Sequence, residues 1–236
     1  GFGREGKTTY NFIREYLPNK KVTILDENSV TLGDDNTEVI ITNITHDILK
    51  NYDLIFKSPG ISLKNIDTDD LNITSQLELL LEVNRKNVIG VTGTKGKSTT
   101  SSLIYSVIKN FKDNTYLLGN IGIPIFEMID NFDDDTTLVI ECSSHQLEFI
   151  KTSPHIGIIL NLHPEHLDHY RSLNDYYNAK LNMFKYQNSN DYILYDDSIK
   201  DYIDADSIKI DINKDIFIKD GNVYIKKGNV DVLVYD

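Results

Sequence analysis

The stretch GVTGTKGKSTT at 90–100 limits the possible folds of this chain more than any other feature. The apolar run 88–91 precedes it and a helical pattern over 99–110 follows, so the sequence predicts a strand, a glycine-rich turn and a helix. A standard phosphate-binding loop has a glycine five positions before the Gly-Lys pair, where this chain has Val91. Backbone amides and a helix N-terminus would still surround a triphosphate. We therefore predict an ATP site made by Gly93, Thr94, Lys95, Gly96, Lys97, Ser98 and Thr99.

A second glycine-rich loop, GFGREG, occupies residues 1–6. It fits the G-x-G-x-x-G pattern, and Asp26 follows at the end of a short apolar run, where a dinucleotide fold would bind a ribose. Alone, the pattern is typical of an NAD-dependent oxidoreductase, or of tight strand-to-helix packing with no ligand. Beside the first motif it favours a second nucleotide-like ligand other than ATP. The strand expected before this loop is absent from the sequence, so we expect a trimmed N-terminus.

The charge balance excludes several classes of partner. The formal net charge is −12, from 36 acidic and 24 basic residues, which argues against binding to nucleic acid or an anionic membrane surface. One cysteine, Cys142, cannot form an internal disulfide, and we expect it to be a small core residue. No apolar run is long enough for a membrane span or a signal peptide, so we predict a cytoplasmic protein and a monomer.

Strand and helix patterns alternate along most of the chain, which predicts an α/β fold with parallel sheets. We expect a Rossmann-like domain over 1–84, a boundary at 85–87, and a P-loop NTPase-like central domain over 85–236. From about Asp191 onward, short strands and the turn pairs Asp220-Gly221 and Gly228-Asn229 predict a small antiparallel sheet. The sequence stops just after an apolar run, so we also expect the C-terminus to be cut.

Several further motifs follow the predicted strands in a fixed order. They are SPGIS at 58–62, GNIGIP at 119–124, ECSSHQLE at 141–148, NLHPEHLD at 161–168 and YNAK at 177–180. With the loop at 93–99, this ordered set resembles the Mur ligase family over essentially the whole chain. This resemblance explains why one chain has two glycine-rich loops. It implies that the first domain holds the UDP of a sugar-peptide substrate and the central domain holds ATP.

Within the family, the motifs are most similar to those of members that add D-glutamate to UDP-N-acetylmuramoyl-L-alanine. The alternatives are another Mur-type ligase or a folylpolyglutamate-type ligase. Making an amide from a carboxylate requires an activated acyl group, and an acyl phosphate made from ATP provides one. The family's C-terminal domain, which binds D-glutamate, is missing, so we expect this chain to bind ligands without turning them over.

The resemblance also implies roles for particular residues. It places ATP phosphates on Lys97, a first Mg²⁺ on Ser98 and Glu141, and a second Mg²⁺ near His166. Lys180 matches a lysine that the family carries as a carbamate, which turns a cation into a carboxylate-like metal partner. Lys97, His166 and Lys180 are therefore the predicted catalytic residues. The family has asparagine where this chain has Lys95, which adds a positive charge beside the phosphates.

The implied contacts with the sugar-peptide substrate fall into two groups. The muramoyl-alanine part would contact Asn120, Ser143 and His166. The uracil and diphosphate would contact Gly3, Arg4, Glu5, Gly6, Asp26, Glu27 and Ser58.

Two sequence features that resemble functional sites have a simpler structural interpretation. His163, His166 and His169 recur every three residues, but Pro164 interrupts the row, so we predict one functional histidine with two solvent-facing neighbours and no zinc site. The acidic runs at 69–70 and 133–135 are predicted to be solvated loops.

Overall fold

The computed structural model describes residues 1–235 and alternates helices with strands. The helices are α1 (Arg4–Tyr16), α2 (His46–Leu49), α3 (Gln76–Asn84), α4 (Lys97–Lys109), α5 (Ser144–Leu147) and α6 (Leu173–Lys185). The first eight strands are β1 (Val22–Asp26), β2 (Thr37–Ile41), β3 (Ile55–Phe56), β4 (Ile73–Thr74), β5 (Val88–Thr92), β6 (Thr115–Gly119), β7 (Thr137–Glu141) and β8 (Ile156–Ile159). The last five are β9 (Tyr192–Tyr195), β10 (Ile208–Asp211), β11 (Ile216–Lys219), β12 (Asn222–Lys227) and β13 (Val230–Tyr235).

The main sheet has six strands in the order β10-β9-β8-β5-β7-β6, and every neighbouring pair is parallel. Its middle strands are apolar and buried along nearly their whole length, as in Leu138, Val139 and Ile140 of β7. Such continuous apolar strands are typical of a parallel sheet covered on both faces. Because all strands run the same way, their carboxyl ends meet at one edge, where ligands bind in open α/β sheets.

Helix α3 belongs to the same hydrophobic core as this sheet. Its Leu77, Leu80 and Leu81 are buried in one cluster with Val88 and Leu138. The Ser75 hydroxyl caps the helix by accepting a hydrogen bond from the Glu78 amide, and a short 3₁₀ turn leads directly into β5. Helix α3 therefore packs against the central domain, although the predicted domain boundary at 84/85 assigns it to the first domain. That boundary stays a prediction.

The N-terminal part contains two separate two-stranded parallel sheets, β1-β2 and β3-β4. A small second core is formed by Leu49, Leu63, Leu71 and Ile73, and Leu25 of β1 and Ile55 of β3 pack against it. Strands β1 and β3 both line an apolar cavity of about 560 Å³. The Rossmann-like description of this part stays a prediction.

The C-terminal strands differ from the prediction at their start. Strands β9 and β10 are parallel and extend the main sheet, so it was wrong to place them in an antiparallel sheet that begins near Asp191. Strands β11, β12 and β13 do form a three-stranded antiparallel sheet. A two-residue turn at Asp220-Gly221, with φ of 52° and 83°, joins β11 to β12, as expected for a hairpin.

Candidate functional site

The loop 93–96 joins the central strand β5 to helix α4 at the carboxyl edge of the main sheet. Gly96 precedes the helix with φ of 85°, a conformation that glycine adopts without steric strain. The free amides of the first turn of α4 therefore face the space beyond the sheet, which is where an anion binds at a helix N-terminus. Lys97 is the first residue of α4, and its Nζ donates to the Thr94 carbonyl at 3.0 Å. Ser98 and Thr99 are exposed next to it.

Two side chains that sequence reasoning did not assign hold this loop in place. Asn161 Oδ1 accepts hydrogen bonds from the Thr94 amide at 3.0 Å and from the Lys95 amide at 2.9 Å. The Tyr176 hydroxyl lies 3.1 Å from Thr94 Oγ1. Asn161 follows β8, the neighbour of β5. A polar residue just after that strand was the sequence feature that could have indicated its role. Nothing in the sequence indicated Tyr176.

Glu141 ends strand β7 beside the loop and is only 1% exposed. Its Oε1 accepts a hydrogen bond from Asn120 Nδ2 at 2.8 Å, whereas Oε2 is buried with no hydrogen-bond partner among residues 1–235. Gly119 allows this arrangement, because it has φ of 99° and a Cβ there would lie 2.3 Å from the Glu141 carbonyl oxygen. A buried carboxylate oxygen without a partner is costly, and a bound cation would relieve that cost. Glu141 therefore fits the predicted metal role.

Lys180 is buried on α6, at 2% exposure, directly beneath the loop. Its Nζ donates to the Gly93 carbonyl at 2.9 Å. Burial, together with the nearby Lys97 ammonium, lowers the pKa of Lys180 to about 7. Burial therefore favours the neutral form of the Lys180 amine.

Helix α5 and the first turn of α1 meet at the boundary between the two halves. Ser143 and Gln146 form a capping box that starts α5. Gln146 Nε2 donates to Glu5 Oε1 at 2.8 Å, and Arg4 Nη2 donates to the Gly122 carbonyl at 3.1 Å. Burial raises the pKa of Glu5, and the hydrogen bond from Gln146 opposes this effect. Arg4 and Glu5 thus contact the central half.

The first loop is held by two of the predicted substrate residues. Asp26 Oδ2 accepts from the Phe2 amide at 2.7 Å, and Ser58 Oγ donates to the Gly1 carbonyl at 2.8 Å. Hydrogen bonds from the Asn28 and Phe2 amides keep the pKa of Asp26 below its usual value. Gly3 precedes α1, Gly6 lies in its first turn, and Glu27 is exposed after β1. The structure therefore gathers 1–6, Asp26 and Ser58 at the carboxyl ends of β1 and β3.

The histidine row differs from its prediction at one position. His163 and His166 are exposed, but His169 is 7% exposed, so the prediction of a solvent-facing His169 was wrong. It packs on the His145 ring with centroids 4.0 Å apart and lies 3.3 Å from Glu148 Oε2. His166 has φ of 55°, and its ring centroid lies 4.8 Å from that of His145.

Within the part of the chain that the structure describes, no group of three or more His, Cys, Asp or Glu could hold a metal ion. A Mg²⁺ site at Glu141 and Ser98 would therefore be completed by phosphates and water, which is how Mg²⁺ binds in many nucleotide sites. Cys142 is 2% exposed, and burial raises its thiol pKa to about 12, which confirms a core role. The acidic runs at 69–70 and 133–135 are exposed, as predicted.

This fold and site place the chain among α/β proteins with a P-loop-like strand, loop and helix. The family model of the Mur ligase middle domain matches residues 91–232, more than half of the chain. The chain belongs to the Mur ligase family.

Curated relatives are similar over much of the sequence. A UDP-N-acetylmuramoylalanine–D-glutamate ligase of Alkaliphilus metalliredigens is 36% identical over 183 residues, which cover 73% of this chain and 40% of that protein. One of the same name from Clostridium botulinum strain Okra is 38% identical over 153 residues, covering 63% of this chain and 33% of that protein. The chain therefore matches less than half the length of these relatives.

One solved structure shares the fold. It is the UDP-N-acetylmuramate:L-alanyl-γ-D-glutamyl-meso-diaminopimelate ligase of Neisseria meningitides, at 18% identity and a TM-score of 0.51. The match covers 89% of this chain and 75% of that chain.

Among the helices of residues 1–235, none combines the length and apolar character needed to cross a membrane.

Proposed function

We propose that this chain is the nucleotide- and substrate-binding part of an ATP-dependent ligase that adds D-glutamate to UDP-N-acetylmuramoyl-L-alanine in peptidoglycan synthesis. Family membership and the names of the curated relatives support the reaction. The observation that carries the assignment is the buried Glu141 oxygen without a partner, which lies beside a glycine-rich loop that begins a helix. An NAD-dependent oxidoreductase would leave Lys97, Glu141 and Lys180 without a role.

The proposed reaction has two steps. The carboxylate of the muramoyl-alanine substrate attacks the γ phosphorus of ATP, which forms an acyl phosphate and releases ADP. The amine of D-glutamate then attacks the acyl carbon, which forms the amide and releases phosphate and a proton. The first step depends on holding the γ phosphoryl group next to the acceptor carboxylate, and the second depends on holding the amine next to the acyl carbon.

The residues of the chain would supply that positioning. The amides of 93–96 and the first turn of α4 would hold the phosphates, and Lys97 Nζ would exchange the Thr94 carbonyl for phosphate oxygens. Ser98 and Glu141 would hold Mg²⁺, which neutralises phosphate charge when bound. Asn120, Ser143 and His166 would contact the muramoyl-alanine part. The loop 1–6, with Asp26, Glu27 and Ser58, would contact the uridine diphosphate.

Lys180 would complete the set as a carbamate near a second Mg²⁺ and His166. Its neutral amine would add to CO₂, which forms an N–C bond and releases one proton. The burial that lowers its pKa supports this reaction because only the neutral amine is nucleophilic. An ammonium would repel the metal ion, whereas a carbamate offers negative oxygens.

Calorimetry on this chain tests the proposal. We expect saturable binding of UDP-N-acetylmuramoyl-L-alanine and of Mg²⁺-ATP, and weaker or no binding of NAD. Arg4→Ala should weaken binding of the UDP ligand, whereas Lys86→Ala, which removes an exposed cation outside the first loop, is the matched control. Equal or tighter binding of NAD would contradict the assignment of the first loop.

A further inference from the structure

A series of buried and partly buried ionisable side chains joins the N-terminal half to the turn that carries His166. Lys57 follows β3 and is 8% exposed. Its Nζ lies 3.0 Å from Glu148 Oε2, and the same oxygen lies 3.3 Å from His169 Nε2. Both partners of Glu148 are buried, and they come from different halves of the chain.

The series continues through contacts between histidine rings. The His169 ring packs on His145 with centroids 4.0 Å apart, and His145 meets His166 edge to face at 4.8 Å. His145 Nε2 is buried without a hydrogen-bond partner among the described side chains and backbone. Ring packing therefore sets the orientation of His145, and His145 in turn contacts the ring of His166.

Further hydrogen bonds join the segment 57–66 to the turn 166–171. Ser62 Oγ donates to the His169 carbonyl at 2.6 Å, and Arg171 Nη2 donates to the Ile66 carbonyl at 2.6 Å. Lys64 Nζ also donates to the Asp168 carbonyl. The segment 57–66, which includes the predicted substrate residue Ser58, is thus fixed to the turn 166–171.

We propose that Lys57 is a positioning residue for His166, acting through Glu148, His169 and His145. Removing two charges from water is expensive, and an apolar pair of similar size is often as stable as a buried ion pair. Stability alone therefore does not account for Lys57 and Glu148 at this boundary. Their geometry instead couples the loop at Ser58 to the orientation of a histidine on the opposite half, and the effect on ligand binding rests on the proposed function.

Histidine ring NMR on this chain tests the coupling without any ligand. The chain has six histidines, so each ring can be followed, and His46 and His155 serve as internal controls. We expect Lys57→Met to shift or broaden the His145, His166 and His169 signals and to leave His46 and His155 unchanged. Lys86→Met, at an exposed lysine, should change none of them.

A double variant separates positioning from simple stability. Lys57→Met alone leaves a buried carboxylate with one partner fewer and should lower Tm. Lys57→Met with Glu148→Met should recover part of that loss, because neither charge of the pair remains, yet the His166 signal should stay displaced. If Lys57→Met does not fold, the double variant alone gives the ring measurement. Unchanged His145 and His166 signals in either folded variant would overturn the proposal.

Ligand binding provides a second readout. We expect the folded variant to bind UDP-N-acetylmuramoyl-L-alanine about tenfold more weakly, as is usual when a supporting residue is lost, with Mg²⁺-ATP affinity nearly unchanged. Unchanged affinity for the UDP ligand would also overturn the positioning role. If the unmodified chain binds no UDP ligand, the proposed function fails, whereas the ring signals still decide the coupling.

Discussion

At the scale of single residues, the candidate site depends on two groups whose burial conflicts with their charge. Glu141 has one oxygen satisfied by Asn120 and one without a partner. Lys180 has a buried amine that donates to the Gly93 carbonyl. Burying either group lowers the free energy of unfolding unless the group gains a partner. Beside a bound phosphate or metal ion, each group would gain such a partner, and perturbed groups of this kind are common at functional sites.

Replacement of Lys180 should change how stability depends on pH. The pKa of Lys180 is about 7 in the folded chain against an ordinary value of 10.5, so the folded state binds fewer protons between these values. This group therefore makes the free energy of unfolding rise with pH in that window, by up to about 1.4 kcal/mol per pH unit. We expect the stability of the unmodified chain relative to Lys180→Met to rise from pH 7 to pH 10 in bicarbonate-free urea titrations. A difference that does not vary with pH would show that the amine is not perturbed.

Replacement of Glu141 should remove the effect of Mg²⁺ on ATP binding. Glu141→Gln keeps the size of the side chain and one acceptor oxygen but removes the negative charge. ATP affinity in excess Mg²⁺ should therefore fall about tenfold, toward the affinity measured in EDTA. The exposed Glu127→Gln is the matched control. Full Mg²⁺ dependence in the Glu141→Gln chain would remove this residue from the metal site.

At the scale of elements, the site depends on how closely strand ends approach one another. A Cβ at Gly119 would lie 2.3 Å from the Glu141 carbonyl oxygen, which is backbone and cannot rotate away, and φ is 99°. We expect Gly119→Ala to reduce the free energy of unfolding by about 1–3 kcal/mol in urea titrations. Gly33→Ala, where nothing lies within 4 Å, should change it by less than about 0.5 kcal/mol. Equal stability of the two variants would show that β6 and β7 can separate at no cost.

Sequence patterns predicted most of these elements but not all of their partners. The predicted start of α4 at Thr99 was two residues late, because Lys97 already belongs to the helix that Gly96 begins. Strands β9 and β10 were assigned to the wrong sheet, since short apolar runs look alike in parallel and antiparallel pairs. His169 contacts Glu148, and Glu148 contacts Lys57, so the surroundings of His169 come from residues distant in sequence that no local spacing could indicate.

At the scale of the whole molecule, the two glycine-rich loops lie at the carboxyl ends of different sheets. The first loop contacts Asp26 and Ser58, and the second contacts Asn161 and Tyr176. Contacts such as Glu5 with Gln146 and Lys57 with Glu148 connect the two halves. This arrangement suits the proposed reaction, which must bring the carboxylate of one bound nucleotide ligand to the terminal phosphate of another. The sequence predicted both loops, whereas the contacts between them required the structure.

The most direct test of the central claim, two separate nucleotide sites on one chain, is calorimetry on Lys97→Ala. Lys97 is predicted to bind the phosphates of ATP, and its Nζ makes its hydrogen bond within the second loop. We expect Lys97→Ala to abolish measurable binding of Mg²⁺-ATP and to leave the affinity for UDP-N-acetylmuramoyl-L-alanine within about twofold, since distant sites act nearly independently. Loss of both ligands in a variant whose circular dichroism and Tm match the unmodified chain would contradict the two-site account.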